Sequence, residues 1–215
     1  MQTRLLNKRT VAWALYDVSD TAFSALVVTL FFPLFVVVHL GGTEWHVGLS
    51  MSAAVMLAAI IVPLLGALSD ASGKRMSILV VATLITVICT ALMGYAPLTL
   101  ALILGFLAQT AHLAALDVYD AKMIDLVPRS LFGALSGLGI GVGYLGAIVS
   151  LACAAVLLSF FGWESIAGMR AVFFEAALFT LLFLLPLFLF VPDLPRKEAH
   201  SDRKSTRLNS SHLVI

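Results

Sequence analysis

The chain has 215 residues, of which 61% are hydrophobic and 12% are charged, and its mean hydropathy is +1.05. A soluble domain has about 45–50% apolar and about 25% charged residues, so this composition excludes an ordinary water-soluble fold and indicates a protein of the lipid bilayer. The net charge of +1 supplies no extended positive surface, and we therefore expect no nucleic-acid partner.

Six apolar segments follow one another along the chain, and each is long enough to cross a bilayer. A helical span needs about 20 apolar residues. Each segment must be helical, because backbone groups cannot be left unpaired in lipid. The sequence therefore predicts an all-α membrane protein with a bundle of six transmembrane helices. The predicted spans are 12–39, 47–69, 76–96, 98–118, 134–161 and 170–191.

The first helix carries one polar stripe on an otherwise apolar surface. Trp13, Asp17, Asp20 and Ser24 recur at intervals of four, three and four residues, which places them on one helix face. An Asp near the centre of a membrane helix costs about 2.5–3.5 kcal/mol on insertion scales, so the stripe should face protein or water. We predict that Trp13, Asp17 and Asp20 line a solute or ion pathway. The alternative is that both acids lie near the membrane interface and have a structural pairing or capping role.

The break between the second and third spans combines small and charged residues. Gly66 and Gly73 allow a tight reversal and close helix approach, while Asp70 lies at the membrane edge. Lys74 and Arg75 hold the break on the cytoplasmic side. These residue types alone fit a simple topology-determining turn as well as they fit a gate.

The fourth span adds two polar residues on one face, Gln109 and His112. A histidine can titrate near neutral pH and relay protons, so we include both residues in the predicted pathway. A histidine satisfied by a neighbouring carbonyl or hydroxyl group is the structural alternative. In the fifth span, overlapping G-x-x-x-G patterns predict close helix packing, because small residues let backbones approach in lipid. The glycines predicted to pack are Gly137, Gly141, Gly143 and Gly146.

Basic residues determine the predicted orientation. Lys and Arg lie almost entirely at the two ends of the chain and in the second and fourth breaks, with Arg170 on the opposite side. The positive-inside rule then places both ends in the cytoplasm, which requires an even number of spans. We expect an integral multi-pass protein of a bacterial inner membrane. The residues on the cytoplasmic side are Arg4, Lys8, Arg9, Lys74, Arg75, Lys122, Arg129, Arg196 and Lys197.

Two motifs resemble a known family. The 66–75 break resembles the signature loop of the major facilitator superfamily, and residues 12–23 resemble a branch that includes autophagy-related vacuolar amino-acid effluxers and bacterial relatives. Asp20 stands where that branch more often has Asn. Shorter stretches of likeness follow at 31–33, 125–128, 136–139 and 143–146.

The resemblance implies a complete fold and a function that the residues alone do not show. It implies that the chain is the N-terminal half of a twelve-helix secondary transporter, which moves a small polar solute such as an amino acid by alternating access. The partners would be the solute, the bilayer and a missing C-terminal six-helix half. It also implies that Asp70 contacts that other half and helps to set the gate, with Gly66, Gly73, Lys74 and Arg75 forming the gating loop.

The end of the chain differs in composition from the six apolar segments. Residues 202–215 are polar and follow no helical period, and they resemble the translation of a sequencing-adapter oligonucleotide. We therefore predict a native unit at 1–201 and a non-native tail at 202–215, the alternative being an ordinary disordered tail.

Other classes of function have little support. The sequence contains no H-E-x-x-H, P-loop or C-x-x-C motif, and no G-x-S-x-G motif with a partnering histidine, so we expect neither an enzyme nor a cofactor or metal site. A membrane receptor or scaffold remains an alternative. An intramembrane hydrolase is less favoured, because its two acids should come from different helices, whereas Asp17 and Asp20 share one.

Overall fold

A computed structural model of the chain describes residues 5–193, with the side chain of Asp70 left out. Over this range the secondary structure is entirely helical, with no strand. Six helices are long and apolar enough to cross a membrane, which confirms the predicted six-helix architecture. They are α1 (Lys8–His39), α2 (Glu44–Ser72), α3 (Arg75–Met93), α4 (Leu98–Ala121), α5 (Phe132–Phe161) and α6 (Ile166–Phe190).

The helix ends follow from local chemistry. Asn7 caps α1, because its side chain accepts hydrogen bonds from the backbone N–H groups of Arg9 and Thr10. Ser165 caps α6 by accepting from the N–H of Gly168. Gly73 ends α2 with a φ of 68°, a left-handed conformation that glycine adopts without steric cost. The reversal predicted at Gly73 is therefore built on the residue best suited to it.

Helix α1 is the packing centre of the bundle. It lies against α5 and α6 along its length, and its side chains also meet α4. Helix α4 packs against α2 and α3, and α3 packs against α6. Helix α2 is the least buried of the six, followed by α5. We call the end near residues 5–7 and 191–193 the proximal end, and the end formed by the 40–43, 94–97 and 162–165 connections the distal end.

The geometry of α1 changes halfway along. It is α-helical over Lys8–Ala22 and π-helical over Phe23–Phe31 and Phe35–His39, with Pro33 in the short α-helical turn between the two π segments. Proline lacks the backbone N–H that continues an α-helix, and π segments commonly occur at functional sites. The predicted polar stripe therefore begins in the regular half of α1 and ends at Ser24, just inside the irregular half.

Candidate functional site

The base of the site is a stacked aromatic pair that joins α1 to α4. The rings of Trp13 and Tyr119 stack with their centroids 4.4 Å apart and their planes 9° from parallel. The Trp13 Nε1–H donates to the carbonyl oxygen of Tyr119 at 3.1 Å, and the Tyr119 hydroxyl lies 3.2 Å from the carbonyl oxygen of Trp13. Both side chains are 1% exposed. Trp13 therefore holds two helices together beneath the pathway predicted for it.

Asp17 lies one turn above this pair, where α1, α4 and α5 meet. Its side chain is buried, and its carboxyl group lies near the Tyr119 hydroxyl. On α5 it faces Gly139, where a Cβ atom would overlap a carboxyl oxygen of Asp17. The missing side chain at Gly139 thus creates the space that the acid occupies.

Asp20 contacts His112 across α1 and α4. Its Oδ1 lies 2.9 Å from Nε2 of His112, and the side chains are 21% and 8% exposed respectively. The ring of Phe23 packs against the imidazole with centroids 4.4 Å apart. A carboxylate, rather than the carbonyl or hydroxyl group considered from sequence, is therefore the partner of His112. The acid is thus partly exposed, while the histidine that it contacts is buried.

Gln109 lies one helical turn before His112 on α4. Its Oε1 atom is buried and has no hydrogen-bond partner among the described residues. An unpaired acceptor in a buried position is costly unless another group supplies a donor. The structure thus pairs Asp20 of α1 with His112 of α4, and Gln109 lies one turn from His112 on the same helix. Ser24 lies one turn beyond Asp20 and is half-buried.

The site has more acids than bases. Asp120, at the proximal end of α4, is close enough to Asp20 and Asp17 for their charges to interact. The nearest described basic side chains have other carboxylate partners. Lys122 pairs with Asp193 at 3.0 Å and Arg75 with Asp125 at 3.3 Å. His112 is therefore the only basic side chain that the described ion pairs give to these acids.

The α5 glycines divide into two groups. Gly143 and Gly146 press against α1, where Cβ atoms would meet Asp17, Thr21 and Val18. The Thr21 hydroxyl donates to the Gly143 carbonyl at 2.7 Å, which reinforces this contact. Gly137 and Gly141 have no atom within 4 Å of a Cβ position and are exposed. The face of α5 that packs closely on α1 is therefore formed by Gly139, Gly143 and Gly146. It differs from the predicted set in containing Gly139 and in leaving out Gly137 and Gly141.

The predicted gating loop lies at the proximal end. Gly66 lies within α2, where a Cβ atom would be 3.8 Å from a carboxyl oxygen of Asp117. Lys74 is exposed, whereas Arg75 reaches Asp125 and the carbonyl oxygen of Ala121 at the end of α4. The side chain of Asp70 lies outside the described part of the structure, as does the predicted tail at 202–215. The loop thus connects the α2–α3 turn to α4.

A second ion pair at the proximal end was not predicted. Lys122 is fully buried, and its Nζ lies 3.0 Å from Oδ1 of Asp193. The same oxygen accepts a hydrogen bond from the backbone N–H of Met76 at 2.9 Å, at the start of α3. Residues 71 positions apart in sequence give no local spacing signal, so the pair could not be found from the sequence. Among residues 5–193, no group of three or more His, Cys, Asp and Glu side chains is arranged to hold a metal ion.

Comparisons with known proteins identify the family. Residues 20–214 match the sequence profile of the Major Facilitator Superfamily, so the chain belongs to that superfamily. It is 31% identical over 157 residues to an uncharacterized protein of Aquifex aeolicus (strain VF5), covering 70% of this chain and 40% of that protein. It is 25% identical over 195 residues to the uncharacterized MFS-type transporter YxiO of Bacillus subtilis (strain 168), covering 84% of this chain and 46% of that protein. The chain thus spans less than half the length of these relatives. The family and the printed name of YxiO both concern transport, in agreement with the prediction of a non-enzyme.

Proposed function

We propose that this chain is the N-terminal six-helix half of a secondary transporter, which exports a small polar solute carrying an ammonium group, such as an amino acid, by alternating access. The observation that carries the proposal is the Asp20–His112 pair, a partly buried acid on a buried histidine between α1 and α4, beside the buried side chain of Asp17. Acids within membrane spans are rare and mark substrate or ion pathways.

The chemistry of the site favours a solute that donates hydrogen bonds. Asp17, Asp20 and Gln109 offer acceptor oxygens, and the Gln109 oxygen has no partner among the described residues. Each intramembrane acid costs about 2.5–3.5 kcal/mol on insertion scales, so two on one helix require a compensating function. An ammonium group or a proton at Asp20 would balance the excess of acids over His112.

The same proposal extends to the second half of the transporter, its orientation in the membrane and the direction of transport. Two repeats rocking about a midplane site require a second half, and the exposed face of α2, the least buried of the six helices, is suited to meet it. The basic residues of the proximal end favour a cytoplasmic location for that end, and we propose that the membrane is a bacterial inner membrane. The resemblance of residues 12–23 to the vacuolar amino-acid effluxers supports both the amino-acid solute and the direction of export. The 66–75 loop would then touch the second half through Asp70 when the cytoplasmic side closes.

A transport assay on two lengths of the protein tests this proposal. The full-length parent, encoded by the uninterrupted reading frame, and the 215-residue chain are each reconstituted in proteoliposomes and loaded with labelled amino acids. We expect flux from the parent and none from the short chain alone. N-acetylated amino acids, which lack the ammonium group, should not compete for flux.

Two results would contradict the proposal. Absence of flux from the parent for every solute tested, together with retained binding, would favour the receptor or scaffold alternative. Equal competition by free and N-acetylated amino acids would exclude ammonium recognition. Flux from the short chain would refute the half-transporter assignment unless cross-linking showed that two copies pair to complete the pathway.

A further inference from the structure

A groove of about 1090 Å³ runs between α5 and α6 towards the distal end, away from the Asp20–His112 site. Its walls are apolar, and several of the side chains that form them are also exposed on the outer surface, namely Val149 at 53%, Phe174 at 60% and Leu178 at 52%. The groove therefore opens onto the surroundings of the bundle, which in a membrane are lipid.

One acid in the groove wall has no partner. Glu175 on α6 is 7% exposed, and neither of its carboxyl oxygens makes a hydrogen bond to a described residue. A buried carboxyl group without a hydrogen bond costs free energy, so a hydrogen-bonding partner from outside the described residues would stabilise it. Five residues earlier, Arg170 lines the same groove. Its Nε–H donates to the carbonyl oxygen of Gly94 at 3.0 Å, and its guanidinium lies over the Tyr95 ring at 4.8 Å from the centroid.

The spacing of these two side chains fits the layers of a bilayer. Arg170 is four residues from the start of α6, or about 6 Å along the axis, and Glu175 lies about 7.5 Å deeper. The headgroup layer on each side of a bilayer is about 5–7 Å thick, from the difference between the total and hydrocarbon thicknesses. With α6 starting at the bilayer surface, Arg170 lies at the base of the headgroup layer and Glu175 about 7–8 Å below that layer, within the hydrocarbon.

We propose that the α5–α6 groove binds one phospholipid molecule, with its phosphate on Arg170, an ester carbonyl on Glu175 and an acyl chain along the apolar wall. A guanidinium matches the geometry of a phosphate and retains several N–H donors beyond the one given to Gly94. A protonated carboxyl group has one O–H to donate, which an ester carbonyl accepts. Glu175 lines the groove, so rotation about its side-chain bonds can turn the buried carboxyl group towards it.

An apolar amine is the competing ligand, since its ammonium could pair with an ionised Glu175. The cationic Arg170 in the same groove opposes that ligand and favours a phosphate. The two ligands are distinguished by binding to the purified 215-residue chain in detergent. The probes are dioleoylphosphatidylglycerol, dioleoylglycerol with the same chains and esters but no phosphate, and dodecylamine.

Native mass spectrometry gives the stoichiometry and relative affinity of each probe, and a native cysteine gives the location. Cys153 lines the groove and is partly buried, whereas Cys89 is buried in the core and is replaced by Ala. We expect one phosphatidylglycerol per chain, bound at least tenfold more tightly than dioleoylglycerol, and slower alkylation of Cys153 when it is bound. Equal affinity for both glycerolipids would overturn phosphate recognition. Tighter binding of dodecylamine that is lost in Glu175→Gln would overturn the lipid in favour of an amine.

Substitutions at Arg170 and Glu175 test the phosphate contact and the ester contact separately. Arg170→Gln and Glu175→Leu should each weaken phosphatidylglycerol binding about tenfold or more, since each removes one polar contact to the lipid. Glu175→Gln should stay within about threefold, because its amide still donates to the ester carbonyl. Leu182→Ala, on an exposed part of α6 outside the groove, is the matched control. The thermal midpoint of each variant checks folding. Unchanged lipid affinity in both Arg170→Gln and Glu175→Leu would refute the site.

Discussion

Replacing Asp17 by Asn tests the proposed pathway at the acid buried between α1, α4 and α5. The substitution is nearly isosteric, so it keeps the packing against Gly139. It removes only the negative charge. A charge-assisted hydrogen bond contributes about 1.5–3 kcal/mol, and about 1.36 kcal/mol corresponds to a tenfold change in rate. We therefore expect the flux of the full-length parent to fall about 10- to 150-fold.

Asp20→Asn should have a smaller effect. The Asn oxygen can still accept a hydrogen bond from Nε2 of His112, so the contact between α1 and α4 is weakened rather than lost. Loss of the charge contribution should reduce flux about 2- to 13-fold, the range that corresponds to about 0.5–1.5 kcal/mol. Asn is also the commoner residue at this position in the branch that the sequence resembles.

The assay compares labelled-solute flux with the amount of membrane-embedded protein for each variant. Removing a charge from a membrane span does not hinder insertion, so both variants should insert at normal levels. Glu164→Gln, an exposed acid in the distal α5–α6 connection, is the matched control. Normal flux in Asp17→Asn would remove this residue from the pathway. If Asp17→Asn lost expression and a change in a basic partner restored it, Asp17 would have a structural role. Equal losses of flux in Asp17→Asn and Asp20→Asn would contradict the expectation, taken from the resembling branch, that Asn is tolerated at position 20.

Three further predictions concern packing, the proximal ion pair and topology. Gly139→Ala should lower both the flux and the thermal midpoint, because the added Cβ would overlap the carboxyl group of Asp17 on α1. Gly141→Ala, with open space around it, should change neither. Equal effects of the two substitutions would contradict the assignment of Gly139 to the α5 face that packs on α1. Asp193→Ala should destabilise the protein by about 3–5 kcal/mol because it leaves a buried lysine unpaired, and an unchanged denaturant midpoint would show that the pair is not formed. In a cysteine-free background, an impermeant thiol reagent should label a cysteine at 44 but not one at 74 in intact cells, and the reverse pattern would invert the assigned topology.

The number of helices could be predicted because the bilayer imposes a simple length rule on apolar segments. The stripe on α1 could be predicted because helical spacing places Trp13, Asp17 and Asp20 on one face. The partner of Asp20 could not, since His112 lies on another helix and the choice among carboxylate, carbonyl and hydroxyl partners depends on tertiary packing. The same limit applies to Gly139, because the rotation of α5 about its axis decides which glycines meet α1.

The position of Asp17 explains how a pathway residue can respond to helix movement. Its carboxyl group touches Gly139 on α5 and Tyr119 on α4, so three helices form its surroundings. Beside Asp17, the contact with α5 is a glycine face formed by Gly139, Gly143 and Gly146, and its one described polar link is the Thr21 hydroxyl on the Gly143 carbonyl. Such a face can shift along α1 with little steric resistance, whereas the stacked Trp13–Tyr119 pair fixes α4 to α1 through two reciprocal polar contacts. Movement of α5 relative to the α1–α4 unit would therefore uncover Asp17 without breaking the Asp20–His112 pair, which gives one acid a variable environment and the other a constant one.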